Sequence, residues 1–281
     1  MTFRQVTIVG LGLIGGSLGI ALRRRRLARR VVGVARRPGT IRQAKARGAI
    51  DRGTTCLCEG TQGSDLVVLA VPPLSVVPVA RELARWSDGE FLLTDVASTK
   101  ARIVRELDQI LPGRISFVGC HPMAGSDRSG LQAADGGLFE GAICVVTPTA
   151  RSRAAAVARV RSLWRGVGSR VVLLSPDRHD QMVAQVSHLP HLTAAALVSV
   201  PQRAALRLAA GGFSDTTRVA QGDPELWAEI CRTNARAIGA ALAQFQRELV
   251  RARSFIARRD FRGLRRWLTA AQGRRREVSG C

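Results

Sequence analysis

Residues 6–22 read VTIVGLGLIGGSLGIAL, an apolar strand-like run followed by a glycine-rich turn and a helix-like run. The turn places Gly10, Gly12 and Gly15 in the pattern G-x-G-x-x-G. The first glycine allows a tight turn, the second lets a pyrophosphate approach the backbone, and the third lets the helix pack closely on the strand. The stretch predicts a dinucleotide site, with a purely structural glycine turn as the alternative.

Three further residues are assigned to the same site. The first N–H groups of the expected helix, including those of Leu13 and Ile14, would face the phosphates because a helix N-terminus favours anions. Val71 stands at the end of a later apolar run, DLVVLAVP at residues 65–72. These residues are therefore expected to contact the cofactor together with the glycines.

The second strand-like run indicates which dinucleotide is bound. NAD sites usually end this strand with an acidic residue that hydrogen-bonds the ribose 2′-hydroxyl. Residues 31–37 read VVGVARR, so Ala35 takes the place of the acid, and Arg36 and Arg37 follow it. A carboxylate would repel a 2′-phosphate, whereas two guanidinium groups would bind one. We expect NADP rather than NAD; alternatively, both arginines only reflect an arginine-rich composition.

The pattern of apolar runs divides the chain into two parts. Up to about residue 174, short apolar runs alternate with helix-like segments, which is typical of a mostly parallel sheet with helices on both faces. From Asp177 onward only helix-like segments follow. We predict an α/β fold with a dinucleotide-binding domain at residues 1–175 and an all-helical domain at residues 176–281, divided at the turn of Ser175–Pro176.

The composition argues for a cytoplasmic enzyme without a membrane span. No apolar run reaches the length of about 18 residues that a spanning helix needs, and the six cysteines are scattered without zinc-ligand spacing. We therefore expect reduced thiols and no metal. The net charge of +22 raises the possibility of nucleic-acid binding, but the arginines occur in alanine-rich helical stretches without interleaved aromatics. We expect no specific nucleic-acid partner.

Two stretches with polar residues follow strand-like runs. Residues 119–130 read GCHPMAGSDRSG and contain His121, while residues 94–100 read TDVASTK and contain Ser98. Because ligands of open α/β sheets bind at the carboxyl ends of the strands, His121 and Ser98 are expected at one edge, near the nicotinamide end of the cofactor. His121 is expected to lie in the loop that follows its strand.

The helical part contains the other three histidines. Residues 187–191 read SHLPH, which places His188 and His191 three positions apart on one helix face. Pro190 should kink this helix locally. His179, in the stretch DRHDQ, is expected to be a surface or packing residue at the start of a helix.

Taken together, these stretches resemble the prephenate/arogenate dehydrogenases, the oxidative enzymes of tyrosine biosynthesis. The resemblance covers residues from about 5 to 235, and its motifs follow the order of the family. It implies an N-terminal Rossmann-type domain and a C-terminal helical domain that forms a homodimer. The matching motifs are GLGLIGGS, DVASTK, HPMAGSDRSG, LFEGA, SHLPH and GGFSDTTRVA.

The resemblance also implies roles for individual residues. The substrate would be a cyclohexadienol whose C4 gives up a hydride and whose ring carboxylate leaves as CO₂. A neutral His121 would accept the proton of the 4-hydroxyl, since the pKa of a histidine lies near the operating pH. Ser98 would orient that hydroxyl or His121, His191 would contact the substrate from the helical side, and Arg218 would bind a substrate carboxylate.

Four residues complete the expected substrate site: Ser126, Asp127, His188 and Gly211. Asp127 bears on the choice between the two candidate substrates, because a carboxylate favours the ammonium group of arogenate over the keto group of prephenate. Asp127 could equally pair with an arginine. We favour arogenate with NADP and keep prephenate as the close alternative.

Two other classes of protein remain open from the residues alone. One is another NADP-dependent two-domain reductase, acting on a 3-hydroxy acid or an imine. The other is a non-catalytic basic regulator that binds NADP and nucleic acid. The combination of HPMAGS with SHLPH argues against the first class, and the set Ser98, His121, His191 and Arg218 argues against the second.

Overall fold

The computed structural model describes residues 2–86, 89–125 and 130–279 of the chain. Two compact units are distinguished by their internal contacts, Met1–Ala235 and Arg236–Cys281. None of the helices in the described part of the chain is long and apolar enough to cross a membrane. Within the same residues, no cluster of three or more potential metal ligands is found.

The first unit is built on one eight-stranded sheet with the strand order β3-β2-β1-β4-β5-β6-β7-β8. Neighbouring strands are parallel except for β6 and β7, which are antiparallel. This arrangement confirms the predicted α/β fold with a mostly parallel sheet. The strands are β1 Phe3–Val9, β2 Ala28–Val34, β3 Arg52–Thr54, β4 Leu66–Leu69, β5 Phe91–Asp95, β6 Ile115–Pro122, β7 Ile143–Thr147 and β8 Arg170–Leu173.

Helices connect and follow these strands. Those that alternate with the strands are α1 Leu13–Arg24, α2 Pro38–Ala46, α3 Leu57–Thr61, α4 Pro73–Trp86, α5 Ala101–Ile110 and α6 Ala154–Gly166. Those that follow the last strand are α7 Pro176–Val183, α8 Leu189–Ser199, α9 Arg203–Leu206, α10 Gly211–Thr217, α11 Pro224–Thr233, α12 Ala235–Ala257 and α13 Phe261–Ser279.

Both faces of the sheet are covered, because its central strands are apolar at consecutive positions. In β4, Leu66 and Val68 pack into one hydrophobic cluster with α1 and α6, while Val67 and Leu69 pack into a second cluster with α4 and α5. Successive side chains of a strand point to opposite faces. The continuous apolar run is therefore what requires helices on both sides.

The helical segment around Pro190 is not one regular α-helix. A local kink was expected there; α7 passes into a π-helical turn at Ala184–His188, and α8 then begins at Leu189. Pro190 lies in the first turn of α8, where its missing N–H needs no partner. The wider π turn directly precedes the turn that contains Pro190, and one of the candidate site residues, His188, lies in it.

The expected domain boundary is visible as a change of secondary structure. The last strand ends at Leu173, and the structure from Pro176 onward is helical. Helices α7 to α11 nevertheless belong to the first compact unit, which extends to Ala235. The division at 175/176 therefore stays a prediction about domains.

The second unit consists of α13 and nearly all of α12. Trp267 Nε1 on α13 donates a hydrogen bond of 2.8 Å to the Glu248 carboxylate on α12. Large apolar side chains remain exposed on both helices, among them Leu249, Ile256 and Phe261. In the single chain, apolar surface on this unit is therefore exposed to solvent.

A fully buried ion pair lies where β5 passes into α5. The ammonium group of Lys100 binds the carboxylate of Asp95. The same carboxylate accepts backbone N–H groups from Ala97 at 3.1 Å and Cys120 at 3.2 Å. It thereby ties the end of β5 to the neighbouring strand β6.

We predict that Lys100→Met lowers the free energy of unfolding by about 3–5 kcal/mol, because Asp95 would keep a buried charge without its cation. The matched control is Arg102→Met, which removes an exposed ion pair with Glu106 on the same helix and should cost about 1 kcal/mol or less. Urea denaturation measures both. Equal losses for the two variants would contradict the importance of the buried pair.

Candidate active site

The glycine turn after β1 has the geometry that a dinucleotide needs. Gly10 has a φ of +97°, and a Cβ at this position would overlap the carbonyl oxygen of Ala70. A Cβ on Gly15 would overlap the carbonyl oxygen of Gly10. A Cβ on Gly12, by contrast, would meet no atom of the described residues within 4 Å. Gly10 and Gly15 are therefore required by packing, whereas Gly12 leaves open space.

That open space lies at the N-terminus of α1. Gly12 is the N-cap residue, and no side chain caps the helix. The first N–H groups of the helix, including those of Leu13 and Ile14, are available to a ligand because the helix itself cannot satisfy them. Val71 lies against the turn, with its Cγ1 3.2 Å from the Cβ position of Gly10. These features fit a bound pyrophosphate.

The end of β2 presents cations to the same edge of the sheet. Ala35 follows the strand, and Arg36 and Arg37 are exposed. Neither guanidinium forms an ion pair within the described residues. Two unpaired arginines next to a dinucleotide turn can bind a phosphate group.

His121 lies within β6 and not in the loop after it, which corrects the expected position. Its backbone pairs with Val145 of β7. The side chain is buried, and its Nδ1 lies 2.9 Å from Nε2 of His179. The second ring nitrogen of His179 lies 2.8 Å from the carboxylate of Asp180. The candidate base thus begins a chain of three buried side chains.

Of the two expectations for His179, a surface residue or a packing residue, the surface alternative is wrong. His179 is fully buried, and it also contacts the candidate base directly, which was not expected. The start of α7 packs against the sheet edge because Asp180 accepts N–H groups of Lys100 at 2.7 Å and Ala101 at 2.9 Å. Asp180 therefore caps α5, although Asp180 and Ala101 are 79 positions apart in sequence. Because His179 precedes Asp180 in the chain, the same contact places the ring of His179 next to His121.

Burial strongly affects the protonation of His121. Desolvation is the main reason why the pKa of His121 lies well below the ordinary value of 6.5, and the cationic forms of His179, Lys100 and His188 lower it further. A histidine with this pKa is neutral at physiological pH. It can accept a proton, as a general base must.

Ser98 follows β5 at the same edge of the sheet and is half-buried. Its hydroxyl has no hydrogen-bond partner among the described residues, so it remains available to a ligand. The adjacent Thr99 is held by a hydrogen bond of 2.9 Å to the hydroxyl of Thr233 on α11. The edge that carries Ser98 is thereby fixed to the helical part.

His188 and His191 share one face, as their spacing predicts, and that face is occupied by Trp227. The ring of His191 stacks on Trp227 with centroids 3.5 Å apart, and His188 meets the indole edge-on at 6.0 Å. Asn234 donates from Nδ2 to Nδ1 of His188 at 3.3 Å. Burial lowers the pKa of His188 to about 4 and also lowers that of His191. Both rings are therefore neutral.

Two ring nitrogens in this cluster have no hydrogen-bond partner among the described residues. They are Nε2 of His188 and Nδ1 of His191. Buried polar atoms are nearly always paired, so these two nitrogens are suited to bind a ligand. This observation supports a binding role for both histidines.

Arg218 lies next to this histidine cluster. It begins the 3₁₀ turn Arg218–Gln221, and the backbone of the next residue, Val219, hydrogen-bonds the ring of His191. The side chain of Arg218 is exposed and forms no ion pair within the described residues. An unpaired guanidinium beside His191 can bind a carboxylate.

The other predicted substrate residues are less informative. Gly211 is exposed at the start of α10, and a Cβ there would meet no described atom within 4 Å, so packing does not require a glycine. Ser126 and Asp127 lie outside the described residues. Their roles stay predictions.

Sequence reasoning did not identify His179, Asp180, Trp227 or Asn234 as site residues. His179 and Asp180 carried one signal, an adjacent titratable pair at the start of a helix. Trp227 and Asn234 carried none, because they reach the histidines only through the packing of α11.

Comparison with known proteins identifies the family of the chain. The model of the prephenate dehydrogenase nucleotide-binding domain matches residues 18–173, and that of the prephenate dehydrogenase dimerization domain matches residues 175–270. The prephenate dehydrogenase of Bacillus subtilis is 34% identical over 274 residues, which covers 95% of this chain and 74% of the relative.

Two solved structures have the same fold over nearly the whole chain. Prephenate dehydrogenase from Aquifex aeolicus, in complex with hydroxyphenyl propionate and NAD+, is 31% identical with a TM-score of 0.92 and covers 99% of both chains. Synechocystis arogenate dehydrogenase is 33% identical with a TM-score of 0.84 and covers 98% of this chain and 99% of the other. The chain belongs to the prephenate dehydrogenase family.

Proposed function

We propose that this enzyme catalyses the NADP-dependent oxidative decarboxylation of arogenate or prephenate, with arogenate the favoured substrate. The observation that carries the proposal is a buried, neutral His121 at the carboxyl edge of the sheet that also holds the dinucleotide turn. Family membership supports the reaction class. It also removes the support for the alternative reductase and for the non-catalytic regulator.

The open space at Gly12 and the first N–H groups of α1 would hold the pyrophosphate of the cofactor. The nicotinamide of the bound cofactor would supply the acceptor for the hydride that leaves C4 of the substrate. All other groups that the reaction needs come from the chain itself.

His121 would accept and then return the proton of the reaction. As C4 becomes a carbonyl carbon, the 4-hydroxyl loses its proton, and the bare ring nitrogen of His121 accepts it. The bond between C1 and the carboxylate then breaks, CO₂ leaves, and its electron pair makes the ring aromatic. His121 returns the proton to the phenolate oxygen, so the base is regenerated. The formation of an aromatic ring makes the sequence effectively irreversible.

The remaining residues would bind and orient the substrate. The hydroxyl of Ser98, at the edge of the sheet, has no partner within the described ranges and would hydrogen-bond the 4-hydroxyl. Arg218 would hold a carboxylate through its planar, bidentate guanidinium. His191 and His188 would each contact the substrate with their unpaired nitrogens. Ser126, Asp127 and Gly211 remain predicted contacts.

NADP and arogenate are the finer parts of the proposal. Arg36 and Arg37, which form no ion pair with any residue the structure describes, favour a 2′-phosphate, and Ala35 offers no carboxylate to repel it. The relatives include both an arogenate dehydrogenase and a prephenate dehydrogenase solved with NAD+.

We also propose that the chain forms a homodimer through the helical part, residues 176–281. The match to a dimerization domain at residues 175–270 supports this assembly. The exposed apolar side chains of α12 and α13 support it further, since Ile256 is 60% and Phe261 is 62% exposed. The cytoplasmic location stays a prediction.

Turnover by the purified enzyme with arogenate or prephenate, each with NADP or NAD, tests the function. We expect the highest kcat/KM for arogenate with NADP, and His121→Asn should lower kcat by about 100-fold or more while the cofactor still binds. Because the neutral ring is active and its pKa is lowered, kcat/KM should fall only when the pH drops well below 6.5. Absence of turnover in all four combinations would refute the proposed function.

The cofactor preference is tested by Arg36→Ser with Arg37→Ser. We expect the double variant to lose NADP affinity by about 10-fold or more, since two charge-assisted contacts to the 2′-phosphate disappear. NAD affinity should stay within about 3-fold, because NAD has no phosphate at that position. Equal losses of affinity for NADP and NAD would show that these arginines do not bind the 2′-phosphate. Arg42→Ser, on the following helix α2, is the matched control.

Two glycine substitutions separate cofactor binding from folding. Gly12→Ala should leave the melting temperature unchanged but weaken dinucleotide binding by about 10-fold or more, because the new Cβ enters only the open space. Gly10→Ala should instead destabilise the fold by at least about 2 kcal/mol, because of its φ of +97° and the overlap with Ala70. Thermal unfolding and cofactor titration distinguish the two. Normal binding by Gly12→Ala would contradict the assigned pyrophosphate position.

A further inference from the structure

The hydrogen bonds behind His121 form a directed chain. His121 Nδ1 lies 2.9 Å from His179 Nε2, and His179 Nδ1 lies 2.8 Å from Asp180 Oδ1. The three residues are 8%, 0% and 4% exposed. The chain begins in β6 and ends in α7, so it is formed only when the helical part packs on the sheet.

The direction of the chain follows from its last member. The carboxylate of Asp180 accepts the N–H groups of Lys100 at 2.7 Å and Ala101 at 2.9 Å, which both require an acceptor. An ionised carboxylate can only accept, so Nδ1 of His179 must donate to it. In a neutral His179, Nε2 is then bare and accepts a hydrogen bond from Nδ1–H of His121. This leaves the lone pair of His121 on Nε2.

We propose that His179 and Asp180 are positioning residues that hold His121 in its Nδ1–H tautomer, so that Nε2 is free to accept the proton of the substrate hydroxyl. The inference deepens the proposed function and rests on His121 as the base. When Nε2 accepts a proton, the imidazolium keeps its Nδ1–H bond to His179. The carboxylate of Asp180 stabilises the positive charge at the far end of the chain.

Asp180 is well suited to this role because it is itself fixed. Its carboxylate is held by two backbone N–H groups at the start of α5, and its backbone carbonyl accepts a hydrogen bond of 2.8 Å from Nδ2 of Asn234. The ring of His179 packs edge-on against His121, with centroids 5.1 Å apart. The base is thus oriented by groups from the sheet, α5, α7 and the end of α11.

Nuclear magnetic resonance of the ¹⁵N-histidine-labelled enzyme tests the tautomer without any turnover. The chain has only four histidines, so each ring can be assigned from one variant per histidine. We expect His121 in the Nδ1–H form with a bare Nε2, and His179 also in the Nδ1–H form. An Nε2–H form of His121 in the wild-type enzyme, or a doubly protonated His179 at neutral pH, would overturn the proposal.

Two substitutions of His179 test its effect on the reaction. His179→Gln offers an amide oxygen to Nδ1–H of His121, whereas His179→Phe offers no acceptor. We expect Gln to keep kcat within about 10-fold and Phe to lower it by about 100-fold or more, with substrate KM nearly unchanged. In the Phe variant the ring of His121 should lose its pure Nδ1–H form. Arg178→Gln, an exposed neighbour on α7, is the matched control and should behave as wild type.

The results of these experiments distinguish the positioning role of His179 from the proposed function. Full activity of a folded His179→Phe variant would overturn the positioning role, and so would equal losses in the Gln and Phe variants with an unchanged tautomer of His121. Absence of turnover in the wild-type enzyme would overturn the proposed function instead, while the resonance measurement would still report the tautomer. If His179→Phe fails to fold, the tautomer of His121 in the wild-type enzyme and the kcat of the Gln variant test the positioning role.

Discussion

The rest of the site depends on the hydrogen bonds that the carboxylate of Asp180 accepts. It caps the first turn of α5 with two hydrogen bonds and binds His179 with a third. A buried carboxylate is costly unless its oxygens are well paired, and here they are paired by groups from two elements far apart in sequence. The same contact that docks α7 on the sheet therefore also fixes the geometry behind His121.

Burial serves the chemistry of the site in two ways. It keeps the rings of His121, His188 and His191 neutral by lowering their pKa values. It also leaves nitrogens of His188 and His191 without a partner among the described residues. A folded protein retains such atoms at a cost in stability, and a ligand that pairs with them recovers that cost on binding.

The sequence was sufficient for the glycine turn, the mostly parallel sheet and the edge that holds Ser98 and His121, because local periodicity and strand order determine them. It was not sufficient for His179, since the partner of this ring is 58 positions away and is met only through the docking of α7. Asn234, which was not identified as a site residue, likewise depends on the tertiary fold. That residue ends α11 and binds His188 and Asp180 across the fold.

The antiparallel pairing of β6 with β7 has a consequence for how this site can change during evolution. His121 is held by the ladder opposite Val145, so the position of this proposed base is set by the sheet and not by the residues after Pro122. On the proposed roles, the residues after Pro122 can be replaced while the sheet keeps His121 in place. The proposed proton transfer and the recognition of the substrate are then separable traits, and one scaffold can exchange substrates while it keeps its reaction.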